Sequence, residues 1–291
     1  MDTVEDVSRR EGTSRIILGP NQYGKAEVRL VKVTRDTARH SLEDLSITSQ
    51  LHGDFGAAHT RGDNTHVVAT DTQKNTIYAL ARDGVGSPEA FLLRLAGHFT
   101  GSFEWVSGGR WAAEQYFWNR INGHDHAFSK DKSEVRTAVL LVEGGRQHLV
   151  AGISGLTVLK STGSEFHGFP RDHYTTLAET TDRILATDIT ATWRYAASWI
   201  DYDATYAGVR DTLLATFAGH HSLALQQTIF EMGRAVLERY DEVESVTLSC
   251  PNKHHFLVDL EPFGLDNPGE VFFAADRPYG LIQATVVREP E

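Results

Sequence analysis

Apolar and polar residues alternate along Ala26-Glu27-Val28-Arg29-Leu30 and again around Leu45, Ile47 and Leu51, the period of half-buried strands. The spacing then turns helical. Thr70-Asp71-Thr72-Gln73 fits a capping box and opens a helix that ends at Asp83-Gly84. Ser87-Pro88-Glu89 gives an N-cap followed by proline at the first helical position. The helix it opens carries Phe91, Leu92, Leu95 and Phe99 on one face. Strand patterns return over 110–121 and 134–142. The first half therefore reads strand, strand, helix, helix, strand, strand.

Gly144-Gly145 punctuates the chain, and the same order comes back. Residues 147–160 and 189–195 read as strands. The excursion between them contains a second capping box, Thr176-Leu177-Ala178-Glu179, and with it a short helix. Asp203 is the expected cap of a helix with Tyr206, Val209, Leu213 and Phe217 on one side, stopped at Gly219. Ser222 is the expected cap of the next, whose apolar face is Leu225, Ile229, Met232, Val236 and Tyr240. Val246, Leu248 and Cys250 alternate, as do Phe256, Val258 and Leu260. No repeat of primary sequence accompanies this repeat of element order. Helices gathered on one face of antiparallel strands make the fold class α+β, and the open edges of such a sheet invite pairing between copies.

Composition narrows the function. The 291 residues are 41% hydrophobic and 23% charged, as in a soluble globular protein of about two domains. No apolar run approaches the ~18 residues of a membrane span. Residues 1–20 read as a flexible leader without a signal sequence, and the closing VVREPE carries no peroxisomal address, so a cytoplasmic location is expected. A net charge of −11 argues against nucleic acid as a partner, and any anion site must use a few locally placed cations. The single cysteine, Cys250, rules out an internal disulfide. Motifs for dinucleotides, phosphate loops, serine hydrolases and zinc proteases are all missing. Of 14 histidines, His124 with His126, His220 with His221 and His254 with His255 form clusters. His254 and His255, adjacent on an expected strand, would point to opposite faces. His124 and His126 could supply two ligands, and solvated or structural histidines are the preferred reading.

Four polar clusters interrupt the apolar patterning: Tyr23-Gly24-Lys25, Ala69-Thr70-Asp71, Phe166 to Phe169 with Thr180 to Arg183, and Pro251 to His254. Each residue has a bland role by itself. Lys25 reads as a surface lysine, Thr70 as a cap and Phe166 as core. Glu179 and Arg183 read as an i,i+4 helix pair, Gln226 as a first-turn polar residue and Asn252 as a turn residue. Spacing and chemistry do not by themselves join them into one site.

Together, however, these segments resemble the urate oxidase (uricase) family. The likeness is carried by NQYGKAEVRLVKV (21–33), VVATDTQKNTIY (67–78), SGLTVLKSTGSEFHGFPRD (154–172) and YTTLAETTDRILATDITATWRY (174–195). It continues through SLALQQTIFEM (222–232), PNKHHFLVDL (251–260) and ADRPYGLI (275–282), so it runs from about Gln22 to Arg288. The resemblance implies the tunnelling fold (T-fold), with units at 21–144 and 145–291 assembling into a barrel-like oligomer. It also implies oxidation of urate by dioxygen without any cofactor or metal. Lys25, Thr70 and His254 would form a proton relay, a buried lysine acting through a neighbouring hydroxyl. Phe166 would stack on the purine, and Leu225 would close the pocket more tightly than the valine of many relatives. Arg183 would grip one edge of urate through its planar fork, and Gln226 the other as donor and acceptor. The Asp71 amide would add a donor, and Asn252 with Thr70 would hold dioxygen and later water. The site would be completed between subunits of a homotetramer. A pterin- or GTP-acting enzyme of the same fold and a non-catalytic purine-binding protein remain the rivals. A glutamate at the position of Gln226 would favour the first, and loss of the relay residues the second.

Overall fold

A computed structural model describes residues 16–196 and 200–289, so most of the expected leader lies outside the described residues. The first half runs β1 (Tyr23–Thr34), β2 (Ser41–Gly53), α1 (Gly56–Arg61), α2 (Thr70–Arg82), α3 (Pro88–Ser102), β3 (Val106–Arg120) and β4 (Phe128–Glu143). The second runs β5 (Arg146–Lys160), β6 (Leu185–Tyr195), α4 (Tyr202–Gly219), α5 (Leu225–Arg239) and β7 (Val243–Lys253). It ends with β8 (His255–Leu257), β9 (Phe272–Ala274) and β10 (Gly280–Val287).

Eight strands form one antiparallel sheet in the order β1-β2-β3-β4-β5-β6-β7-β10. The halves meet at the β4–β5 hairpin, where Glu143 pairs with Arg146 across Gly144 and Gly145. Both glycines take positive φ, 55° and 75°, the two-residue turn whose twist matches the flanking strands. One face of the sheet is covered by helices. In the first half Leu45, Ile47, Trp111 and Leu140 of the sheet meet Ile77, Phe91, Leu95 and Phe99 of α2 and α3, all without exposed surface. In the second, Ile153, Ile189 and Leu248 meet Val209, Leu213, Ile229 and Val236 of α4 and α5. The two groups join in one core, each large side chain contributing roughly 1.5–3 kcal/mol by leaving water.

Several expected element starts move. The capping residue of α2 is Ala69, so Thr70 is its first helical residue and its side chain caps nothing. Asp201, not Asp203, caps α4, accepting from the Ala204 amide at 3.0 Å. Asp203 is instead held by Arg136. The flank of α5 is Ala224, because the Ser222 hydroxyl is engaged with Thr228. The expected helix after Thr176 does not form: Phe166 and Thr180 exchange backbone hydrogen bonds there, and Glu179 accepts from the Gly168 amide. The alternating residues Phe256 to Leu260 give only the short β8–β9 ribbon, and the last place in the main sheet goes to β10. Ser87 does cap α3, accepting from the Ala90 amide at 3.2 Å.

Candidate active site

Of the three residues expected to form a relay, Lys25 and Thr70 stand at the β1 edge of the sheet and His254 does not. Gly24 crosses the Ser49 carbonyl so closely that a Cβ would lie 1.7 Å from that oxygen, which is why no side chain is possible before Lys25. Just beyond Lys25 the register slips by one residue, a β-bulge in which Glu27 takes φ 55° and its amide donates to Thr48 Oγ1. Lys25 is half-buried beside the start of α2, close enough for its charge to act on the Asp71 carboxylate. A hydrogen bond from Lys74 is the main reason that carboxyl sits below the usual aspartate range.

Gln73 fixes this end. Fully buried, it accepts from Ser49 Oγ at 3.0 Å and donates to the Val68 carbonyl at 3.4 Å, while Tyr23 Oη donates to the same carbonyl at 3.2 Å. The first backbone bond of α2 is from Gln73 to Ala69, which leaves the Asp71 amide without an intrahelical acceptor.

A second group of the expected site residues gathers elsewhere, His254 among them. Phe166, Arg183, Asn252 and His254 line one cavity of about 590 Å³ with Leu177, Ile184, Lys253, Phe256 and Phe272. Asn252 is placed by pairing with Thr187 of β6 and Gly280 of β10. His254 follows β7, its carbonyl accepting from the Ala275 amide at 2.9 Å. Lys253 between them is ion-paired with Asp188 and brings no free cation. The Phe166 ring stacks on Phe169 at 5.0 Å, and the Arg183 guanidinium carbon lies 5.3 Å from the Phe166 ring centre. Burial pulls Arg183 below the ordinary arginine value, and an anionic ligand would offset that loss of solvation.

Leu225 and Gln226 do not line this cavity in the single chain. Leu225 is in the core, and Gln226 is exposed on the first turn of α5. Lys25 and Thr70 are farther still: from β1 to β7 is six strand steps, about 29 Å along the sheet. The i,i+4 pairing of Glu179 with Arg183 is not made, since no helix forms and Glu179 faces Gly168. His124 and His126 touch edge to face at 4.5 Å, and among the described residues no group of three His, Cys, Asp or Glu could hold a metal ion.

Lys253, Phe256 and Phe272 also line the cavity, and no spacing in the sequence marks them for it. A usable signal was Asn267-Pro268-Gly269, a turn whose Asn267 side chain bonds Val258, Glu270 and Val271 and shapes the cavity's outer wall.

The uricase family model matches residues 21–140 and 149–283. The uricase of Arthrobacter globiformis is 71% identical over 276 residues, 95% of this chain and 91% of that one. The uricase of Aspergillus flavus is 40% identical over 288 residues, covering 92% and 95%. Among solved structures, that of the Arthrobacter globiformis uricase superposes with a TM-score of 0.93 at 70% identity, over 96% of this chain and 97% of that one. The urate oxidase of Bacillus sp. TB-90 does so with 0.80 at 25% identity, over 92% and 100%. By sequence and by fold, the chain belongs to the uricase family.

Proposed function

We infer that this chain is an oxidoreductase that converts urate, dioxygen and water into 5-hydroxyisourate and hydrogen peroxide, with its two groups of polar residues as the two halves of the site. The observation that carries the reading is the pairing of Phe166 with Arg183 in a cavity shared with Asn252 and His254. A flat aromatic face beside a buried planar cation suits a flat anion: Phe166 stacks on the purine while the guanidinium donates in the ring plane. Gln226, on the adjoining helix, meets a carbonyl and N–H pair on another edge, with Leu225 behind it.

Urate is electron-rich, and deprotonation to the dianion makes it a reductant for dioxygen. The protein's tasks are then to hold it, remove a proton and keep the oxygen species above the ring. Lys25 takes the proton through Thr70, and His254 continues the relay. Asn252 with Thr70 holds dioxygen and then the water that adds to the oxidised ring. The Asp71 amide adds one donor in the plane. No cofactor or metal is assigned a step.

The separation of Lys25 and Thr70 from the cavity supports a site completed between chains, and a homotetramer is the assembly proposed. Both ends of the sheet, β1 and β10, are open edges, with Val31, Leu281 and Val287 exposed along them. Light scattering should give about four times the 32.3 kDa chain mass. The activity is tested by following urate's ultraviolet absorbance in air and under argon, after dialysis against a chelator. Loss of absorbance only in air, with peroxide formed, is expected. Binding without turnover, or activity that vanishes on chelation and returns with copper or zinc, overturns the mechanism.

A further inference from the structure

Ser164 lies where the three segments bearing the binding residues meet, and its side chain has no exposed surface. Its Oγ accepts from Arg183 Nε at 3.3 Å, and its carbonyl accepts from the Arg183 amide at 2.9 Å. One residue on, the Glu165 amide donates to the Ser222 carbonyl at 2.7 Å, and the Ser222 amide donates to the Gly163 carbonyl at 2.9 Å. Ser222 and Thr228, equally buried, share a hydroxyl bond of 2.6 Å at the start of α5. A further residue on, Phe166 and Thr180 exchange backbone bonds of 2.8 and 3.0 Å. The strip 163–166 thus ties Phe166, Arg183 and the helix turn of Gln226 into one frame.

Within it, the Ser164 hydroxyl has a specific task. A guanidinium offers N–H donors on two edges, one of them including Nε. With Nε–H given to Ser164, the two Nη groups remain for the cavity, and among the described residues neither has a hydrogen-bond partner. Without the hydroxyl, a half-buried Nε–H is left unsatisfied, and the fork is free to turn about its last bond and present a different edge.

We propose that Ser164 is a positioning residue for urate binding: by holding Arg183 Nε it sets which pair of N–H donors faces the ligand. This rests on the reading of Arg183 as the urate-binding cation.

The test titrates urate under argon into the full-length oligomer for the parent, Ser164→Ala, Arg183→Lys and the double variant, with KM and kcat then measured in air. Ser164→Ala should weaken binding about tenfold, the loss of one charge-assisted bond, ~1.4 kcal/mol, and raise KM while kcat stays near the parent's. In the Arg183→Lys background the same change should add less than about twofold, because lysine has no Nε–H for the hydroxyl to hold. A merely structural serine would do equal damage in both backgrounds, and that outcome overturns the proposal. Ser164→Cys keeps the size with a poor acceptor, and it serves if the alanine variant does not fold. A severalfold loss is expected, whereas full affinity would show that the hydroxyl only fills space. A silent Arg183→Lys overturns the binding reading and this inference together. A damaging Arg183→Lys beside a silent Ser164→Ala overturns this inference alone.

Discussion

Ser87 and Thr70 both stand at the head of a helix in the first half, and their hydroxyls meet different partners. Ser87 lies just outside α3 with extended backbone, φ −68° and ψ 148°, so its Oγ can turn back to the Ala90 amide. At α2 that outer position is taken by Ala69, and Thr70 is already helical, with no cap for its hydroxyl to make. Substituting the two should separate stability from chemistry. Ser87→Ala is expected to lower unfolding stability by about 1 kcal/mol and leave turnover unchanged. Thr70→Val should leave stability within roughly 0.5 kcal/mol and cut kcat by about 10²-fold or more, the scale of a lost acid–base partner. Denaturant melts and steady-state rates on both variants check this, and a Thr70→Val protein that turns over normally removes Thr70 from the relay. In the sequence both hydroxyls were cap candidates by spacing. What separated them was which residue had left the helix, a backbone fact that spacing does not carry.

The same competition explains the other helix starts. Asp201 and Asp203 both suit a cap, and Asp203 is drawn off by Arg136 of β4. Ser222 is drawn off by Thr228. Thr176 lies in a segment whose neighbours Glu179 and Thr180 are held by Gly168 and Phe166. Strands and apolar helix faces were legible because periodicity is local. Caps were lost where a tertiary partner claimed the polar group. β10 is barely legible in the sequence although Ile282, Ala284 and Val286 alternate inward, because a lone half-buried edge strand leaves a weak pattern.

The contacts of Arg136 also clasp the two halves. It bonds Glu89 of α3 at 2.8 Å and Asp203 of α4 at 2.6 Å, while Arg210 of α4 pairs with Glu134 of β4. Arg136→Met would leave the Glu89 carboxylate buried and unpaired, an expected loss of ~3–5 kcal/mol. Burial already pushes the Glu89 carboxyl above the usual range, with Arg136 opposing it. A carboxyl raised in the folded state is easiest to bury when neutral. The deficit in Arg136→Met should therefore shrink as pH falls through that raised value and grow again as pH rises. Melts across pH with a deficit that stays flat would contradict the assignment.

At the scale of the molecule the halves repeat devices as well as element order, although their sequences do not. The first strand of each carries a bulge with positive φ, at Glu27 (55°) in β1 and Gly155 (76°) in β5. A lysine later in the same strand reaches carbonyls at a helix end: Lys32 to Arg82 at 2.6 Å, and Lys160 to His220 at 2.5 Å. The division expected from the sequence, 21–144 and 145–291, falls at the β4–β5 hairpin between the two sets of devices. It also separates the proposed site, with Lys25 and Thr70 on the first unit and Phe166, Arg183, Asn252 and His254 on the second. This separation invites a test by complementation. Lys25→Ala spoils the relay half of each chain, and Arg183→Ala spoils the binding half, so each variant assembled by itself should be inactive. Unfolded together in equal amounts and refolded, they form hybrids in which some interfaces join an intact Lys25 to an intact Arg183 of the other chain. Random assembly should restore on the order of a quarter of the sites. A site confined to one chain would keep a lesion in every copy. Hybrid oligomers verified by mass and still without urate turnover would refute sharing between chains, while the membership of the family, which rests on sequence and fold, would stand.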